Sequence, residues 1–384
     1  VGGVELAVRL RRVGRVGRFV AMRDALVQSR DRREQRLTSS RRFRDGRFWN
    51  TAPVSVMKAP DLSVMIEFAK GGRGRVPARE LPLFGETAQA LTRTSSSDLR
   101  LTWLGHSTVL VELDGVRLLT DPVFGERASP VAFAGPKRFH PPPLPLSLLG
   151  RIDAVVLSHD HYDHLCADTV RQLAAGVSPG FSGRFVTTLG VGAHLERFGV
   201  RPDLITELDW GEGARVTGAV GSVVDVVATP SQHFSGRGAL DRNRTLWAGM
   251  AMLGPRHKVF FSGDTGPTPE HKDIGASLGP FDVAMFEIGA WHPSWGDIHL
   301  GPIAAWEAFA ALGARHLLPV HWSTFDLGLH PWEEPGEVLY GHATVDAGAK
   351  EARARLWTPQ LGQPIDLDDA HQPEPWWRRV LAPR

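Results

Sequence analysis

Ala154-Val155-Val156-Leu157-Ser158-His159-Asp160-His161-Tyr162-Asp163-His164 is the stretch on which the fold turns. An apolar, β-branched run reads as a buried strand, and it ends in four metal-ligating side chains within six positions. At strand spacing His159 and His161 share one side, and a turn brings Asp163 and His164 round to them. Imidazoles crowded at the end of a buried strand repel when protonated and need partners when neutral. The pattern is therefore a poor structural choice without a metal.

Outward from this point the chain alternates strands and helices. Strands are expected at 101–104, 108–113, 116–120, 153–158, 185–189, 223–229, 246–253, 259–262, 283–288 and 317–320. Asp114-Gly115 is a two-residue hairpin signal. Helices are expected at 167–175, 191–198 and from Pro302 to a stop at Gly313. The proline stretch 141–145 fits neither a helix nor a central strand. Hairpins mixed with βα units imply sheets with helices on their outer faces.

The spacing H-x-H-x-D-H resembles the metallo-β-lactamase-fold hydrolase superfamily, whose later ligands also sit at strand ends, where this sequence offers His233, Asp264 and His321. The resemblance implies an α/β chain, an αββα sandwich of two mixed sheets with helices on the outer faces. It implies His159, His161 and His233 on one metal, Asp163, His164 and His321 on a second, and Asp264 shared by both. Within the superfamily, the motifs 103–108, 119–124, 135–139, 261–266 and 320–325 resemble the N-acylphosphatidylethanolamine-hydrolysing phospholipase D branch. That likeness runs from Leu101 to Thr324. It implies a phosphodiesterase of phospholipase D type that cleaves an N-acylphosphatidylethanolamine-like glycerophospholipid through a hydroxide held by two metals. Ligands that are all nitrogen and oxygen suit two Zn²⁺, and Mn²⁺ or Fe²⁺ fit the same donors. The alternative on the same centre is a lactonase or another carboxylic-ester or amide hydrolase. A third reading, a metal-binding scaffold without chemistry, conflicts with so complete a ligand set.

The resemblance implies catalytic roles for Asp264, as bridge and candidate proton acceptor, and for His299, which precedes the Pro302 helix and is expected to contact substrate or move a proton, the alternative being support of a ligand or a helix cap. His106 is a candidate support for a ligand. Lys137-Arg138 could meet a phosphate. Trp291, Trp295 and Trp322 could line an acyl pocket, and Trp376-Trp377 could sit at a membrane interface. His140, His194, His257, His271, His316, His330, His342 and His371 lack ligand-like spacing.

Composition bounds the rest. In 384 residues, 42% are hydrophobic and 22% charged, a globular balance. The single cysteine, Cys166, excludes an intrachain disulfide and a thiolate zinc cage. Residues 1–47 hold fourteen arginines against five acids, a charge of +9 in a chain of +2, so the body is mildly acidic and offers nucleic acid no basic face. No apolar run approaches the roughly 20 residues of a membrane span. These features predict a cytoplasmic protein with peripheral membrane contact. They divide it into an arginine-rich arm outside the core (1–50), an irregular lead-in (51–100), a catalytic domain (101–345) and a C-terminal extension on or near the core (346–384).

Overall fold

The computed structural model describes residues 29–53, 66, 74–219, 221–238, 240–345, 355–369 and 373–381. A hairpin, β1 (Phe43–Arg44) and β2 (Arg47–Phe48), precedes two large sheets. The first sheet has seven strands: β3 (Leu99–Gly105), β4 (Thr108–Leu113), β5 (Val116–Thr120), β6 (Ala154–Val156), β7 (Phe185–Thr188), β8 (Ile205–Leu208) and β15 (Pro364–Asp366). Their spatial order is β15-β3-β4-β5-β6-β7-β8. The second has six: β9 (Gly213–Thr217), β10 (Val223–Thr229), β11 (Gly249–Leu253), β12 (Lys258–Phe261), β13 (Val283–Glu287) and β14 (His316–Val320), in the order β14-β13-β12-β11-β10-β9.

Each sheet is antiparallel in one half and parallel in the other. Pairing switches to parallel at β5–β6 in the first sheet and at β12–β13 in the second. The local reasons are plain in the sequence. At the β4–β5 turn both Asp114 and Gly115 have positive φ, 47° and 85°, as a two-residue hairpin of this hand requires. Val109, Val111, Leu118, Ala154 and Val156 face the second sheet, where Val224, Val226, Ala228, Met250 and Met252 meet them. The alternate residues Leu110, Leu119 and Val155 turn outward onto Val170, Leu173 and Leu195. The period of two thus supplies both faces of a covered sheet.

The outward residues pack on α1 (Ala167–Ala174) and α2 (Gly192–Arg197). Over the second sheet lie α3 (Glu270–Leu278), α4 (Gly301–Leu312) and α5 (Glu334–Val345), with α4 between the other two and against β13. Helix α4 begins with Pro302 and ends at Gly313 in the left-handed region (φ 74°). The architecture is the αββα sandwich expected from the motif.

The boundaries of the arm differ from expectation. Residues 29–39 are helical and dock on the core: Arg33 is 9% exposed and bonds Glu196 and Glu207 at 2.7 Å each. Phe48 is fully buried against Leu189, Leu246 and Trp247. Arg36 pairs with Glu212, and Arg42 lies over the Trp210 ring. The charge run misled because acidic residues far along the chain neutralise it. Residues 1–28 lie outside the described residues.

The C-terminal segment contributes β15 and a buried tryptophan cluster. Trp376 and Trp377 have no exposed surface and pack around Trp322, which stacks on Trp103 at 5.6 Å. That placement corrects the expectation of an interfacial Trp376-Trp377 pair and of Trp322 in an acyl pocket. Among the described residues no helix is long and apolar enough to cross a membrane.

Candidate metal centre

All seven candidate ligands leave strand ends on one edge of the sandwich. His159, His161, Asp163 and His164 follow β6, His233 follows β10, Asp264 follows β12 and His321 follows β14. The structure brings them into two contiguous groups. In the first, His161 Nδ1 is 2.9 Å from His159 Nε2 and 3.3 Å from His233 Nε2. Asp264 Oδ2 lies 3.7 Å from His159 Nε2 and 3.6 Å from His233 Nε2. In the second, His164 Nε2 is 3.4 Å from Asp163 Oδ2 and 3.1 Å from Asp264 Oδ1. His321 Nε2 is 3.2 Å from each of the same two oxygens.

Donors around one tetrahedral Zn²⁺ stand about 3.4 Å apart, given a Zn–N distance of about 2.1 Å. Both groups match that spacing, and the two oxygens of Asp264 face one group each. His164 Nε2 and Asp264 Oδ1 are buried without a hydrogen-bond partner among the described residues. Two orphaned lone pairs aimed into a shared space fit a cation there.

The opposite ring nitrogens of three histidines are tethered, which turns the other nitrogens toward the shared space. His164 Nδ1 donates to Asp121 Oδ2 at 2.7 Å, and His233 Nδ1 donates to the Ile298 carbonyl at 2.8 Å. Ser158 Oγ donates to Asp121 Oδ2 at 2.6 Å, leaving His159 Nδ1 to donate to Ser158 Oγ at 2.9 Å. His106 Nε2 donates to Asp163 Oδ2 at 2.9 Å, the supporting place expected for it. His106, Asp121 and His321 all have positive φ (51°, 31° and 65°), so the backbone is strained where it aims these groups.

Charge is distributed unevenly. Burial and neighbouring imidazoles hold His159 and His233 well below the ordinary histidine pKa. Burial also lowers His161. Burial opposes charge on His164 and His321 as well, but Asp264 and Asp163 outweigh it, raising His164 far up and His321 to about 10. Those imidazoles hold Asp163 and Asp264 well below the carboxylate range, although burial works the other way. One half thus presents neutral imidazoles. The other favours positive charge, which a divalent ion would supply in place of a proton.

Beside the cluster opens a cavity of ≈ 210 Å³, lined on its apolar side by Phe234, Ala290, Trp295, Ile298 and Leu327. His299 reaches this cavity, and its Nδ1 donates to Glu287 Oε2 at 2.9 Å. The loop carrying His299 crosses Gly266, where a Cβ would overlap the Asp297 carbonyl. A larger cavity of ≈ 640 Å³, lined by Tyr162, Cys166 and Arg237 among others, contains none of the seven.

Some expected contributors lie elsewhere. Lys137 is exposed and pairs with Glu126. Arg138 is spent on the Val123 and His140 carbonyls and on the Phe325 ring. Trp295 lines the cavity, whereas Trp291 stacks on His330.

Three contributors were not foreseen. Asp121 holds His164, and its signal was an aspartate directly after a buried strand. Glu287 ends the buried strand β13, the one charge in an otherwise apolar run. Asn50, from the N-terminal segment, donates to the His233 carbonyl at 2.8 Å and accepts from the His233 amide at 3.1 Å. No local signal marks Asn50.

Comparison with known proteins identifies related chains and folds. Residues 116–322 match the β-lactamase superfamily domain model. An uncharacterized protein of Mycobacterium tuberculosis is 43% identical over 342 residues, covering 88% of this chain and 87% of that one. The N-acyl-phosphatidylethanolamine-hydrolyzing phospholipase D 1 of Caenorhabditis elegans is 42% identical over 240 residues, 61% of this chain and 66% of that protein. Among solved structures, a possible metal-dependent hydrolase from Veillonella parvula aligns with a TM-score of 0.53 at 14% identity, covering 70% of this chain and 99% of that one. The chain belongs to the β-lactamase superfamily and is a metal-dependent hydrolase. Within that superfamily it falls in the branch resembling N-acylphosphatidylethanolamine-hydrolysing phospholipase D.

Proposed function

We propose that His159, His161 and His233 hold one Zn²⁺ and Asp163, His164 and His321 a second, with Asp264 shared. On this reading the chain is a phospholipase D-type phosphodiesterase acting on an N-acylphosphatidylethanolamine-like glycerophospholipid. The observation that carries the reading is the pair of orphaned donors, His164 Nε2 and Asp264 Oδ1, beside a cavity with an apolar wall. Two ions held by these residues would supply an activated water near neutral pH and would polarise a phosphoryl oxygen.

The chain's own residues do the remainder. Ser158, Asp121 and the Ile298 carbonyl orient three imidazoles, so the ligand set is arranged before any substrate arrives. Phe234, Trp295, Ile298 and Leu327 exclude water and offer an acyl chain apolar contact. His299 stands at the same cavity, where it contacts the substrate or the proton in transit. The cluster's carboxylates would repel a phosphate, and bound cations invert that sign.

The test is a turnover screen of the zinc-loaded protein on bis(p-nitrophenyl) phosphate, a homoserine lactone and an N-acylphosphatidylethanolamine. Phosphodiester and lipid cleavage with an inert lactone is the expected result. Lactone turnover with inert phosphodiesters would replace this reading with the carboxylic-ester alternative.

A further inference from the structure

Glu287 is the last residue of β13 and has no exposed surface. The rest of that strand is Val283-Ala284-Met285-Phe286, all buried. A carboxylate in such a place is costly unless its oxygens are used. Both are used, and by different parts of the site. Oε1 accepts from the amide of Thr265 at 3.1 Å and from the amide of Leu300 at 3.2 Å. Those amides belong to the residues directly after Asp264 and His299. Oε2 accepts from His299 Nδ1 at 2.9 Å and stands 3.7 Å from His321 Nδ1, which has no hydrogen-bond partner among the described residues. One side chain therefore ties together the loops of Asp264 and His299 and faces the rear of His321.

We propose that Glu287 is the positioning residue that decides which ring nitrogen His299 turns to the cavity. A carboxylate only accepts, so His299 must keep its hydrogen on Nδ1 to make the bond. In the neutral ring, Nε2 is then a bare acceptor. It is presented to the cavity that Asp264 and His321 also line. There it receives a hydrogen bond from water or from a donor on the substrate. The two backbone bonds to Oε1 keep the carboxylate from rotating away, so orientation and tautomer are set together. The role of His299 at the cavity rests on the proposed function. The choice of tautomer does not.

The sharpest perturbation is Glu287→Gln. The amide fills the same volume, and its oxygen can still accept from Thr265 and Leu300. Its nitrogen can only donate, so it forces His299 to accept at Nδ1 and to carry hydrogen on Nε2. The cavity then meets a donor where it met an acceptor.

Long-range ¹H–¹⁵N correlation spectra of the zinc-loaded protein, with His299 assigned by His299→Ala, read the tautomer directly. The wild type should show hydrogen on Nδ1 and the Gln variant hydrogen on Nε2, both with unchanged zinc content. Turnover of bis(p-nitrophenyl) phosphate should fall by roughly ten- to ten-thousand-fold in Glu287→Gln through kcat rather than KM. The double variant Glu287→Gln/His299→Ala should be no slower than His299→Ala alone. Hydrogen on Nε2 and not on Nδ1 in the wild type overturns the proposal, and that spectrum does not depend on the folding of Glu287→Gln. Multiplicative losses in the double variant also overturn it, since they make Glu287 a structural carboxylate independent of His299. A tautomer switch in a protein inert toward phosphodiesters would sustain this proposal and sink the proposed activity.

Discussion

Replacing Arg33 by alanine removes a cation that faces both Glu196 and Glu207. Its Nη2 donates to Glu196 Oε1 and its Nε to Glu207 Oε2, each at 2.7 Å, and the three side chains are only 9–11% exposed. Taking one partner from a buried ion pair costs about 3–5 kcal/mol, because the other charge stays behind. Here the lower end applies. Glu207 Oε1 keeps the amides of Gly190 and Gly192, and Glu196 keeps the Ser29 hydroxyl. Taking roughly 3 kcal/mol, at roughly 2 °C per kcal/mol for a chain of this size, the midpoint of thermal unfolding should fall by about 6 °C. Arg33→Ala combined with Glu207→Gln should cost less than the sum, since the neutral amide no longer strands a charge. Deleting residues 1–47 removes the same strut and the strand preceding Phe48, so it should lower both the midpoint and turnover of a soluble phosphodiester. A midpoint within 1–2 °C of wild type for Arg33→Ala, roughly the shift of half a kcal/mol, would refute the reasoning and return the segment to the status of a loose arm.

Other outcomes follow from the centre itself. The second ion must displace protons from His164 and His321, so its affinity should fall as pH falls, with more protons released than for the first ion; equal release in buffers of different ionisation enthalpy would contradict this. Asp121→Asn removes the anion that holds His164 Nδ1–H and should weaken metal affinity roughly 10- to 100-fold by competition with a chelator, while circular dichroism stays native. Gly266→Ala should push the His299 loop outward, lowering kcat/KM with two ions still bound; wild-type kinetics would show that the loop yields without cost.

The seven candidates that the structure brings together were legible because each follows an apolar strand, and such strands are the most local signal a chain carries. The same holds for β4, β5 and β10, whose bounds match the sequence reading. What escaped was set by distant partners. Strand β8 is half-exposed along most of its length and shows no alternation strong enough to read. Helix α5 contains Pro335 and Gly336 near its start, residues that argue against a helix. The glycine is there because the Trp322 ring lies where a Cβ would be. Asn50 acts on a residue 183 positions away. Glu287 and Asp121 look like ordinary strand-end acids until the fold places imidazoles beside them.

Each half of the centre draws two of its groups from each sheet: His159 and His161 with His233 and Asp264, and Asp163 and His164 with His321 and Asp264. An ion held in either half is therefore a rivet through the sandwich as well as a reagent. Opening the layers and losing the ion become one event. The resistance of the protein to unfolding should then rise with the logarithm of free metal once the ion exceeds its dissociation constant. Metal starvation would take the enzyme away twice, first by stopping the reaction and then by loosening the two sheets that must meet to perform it.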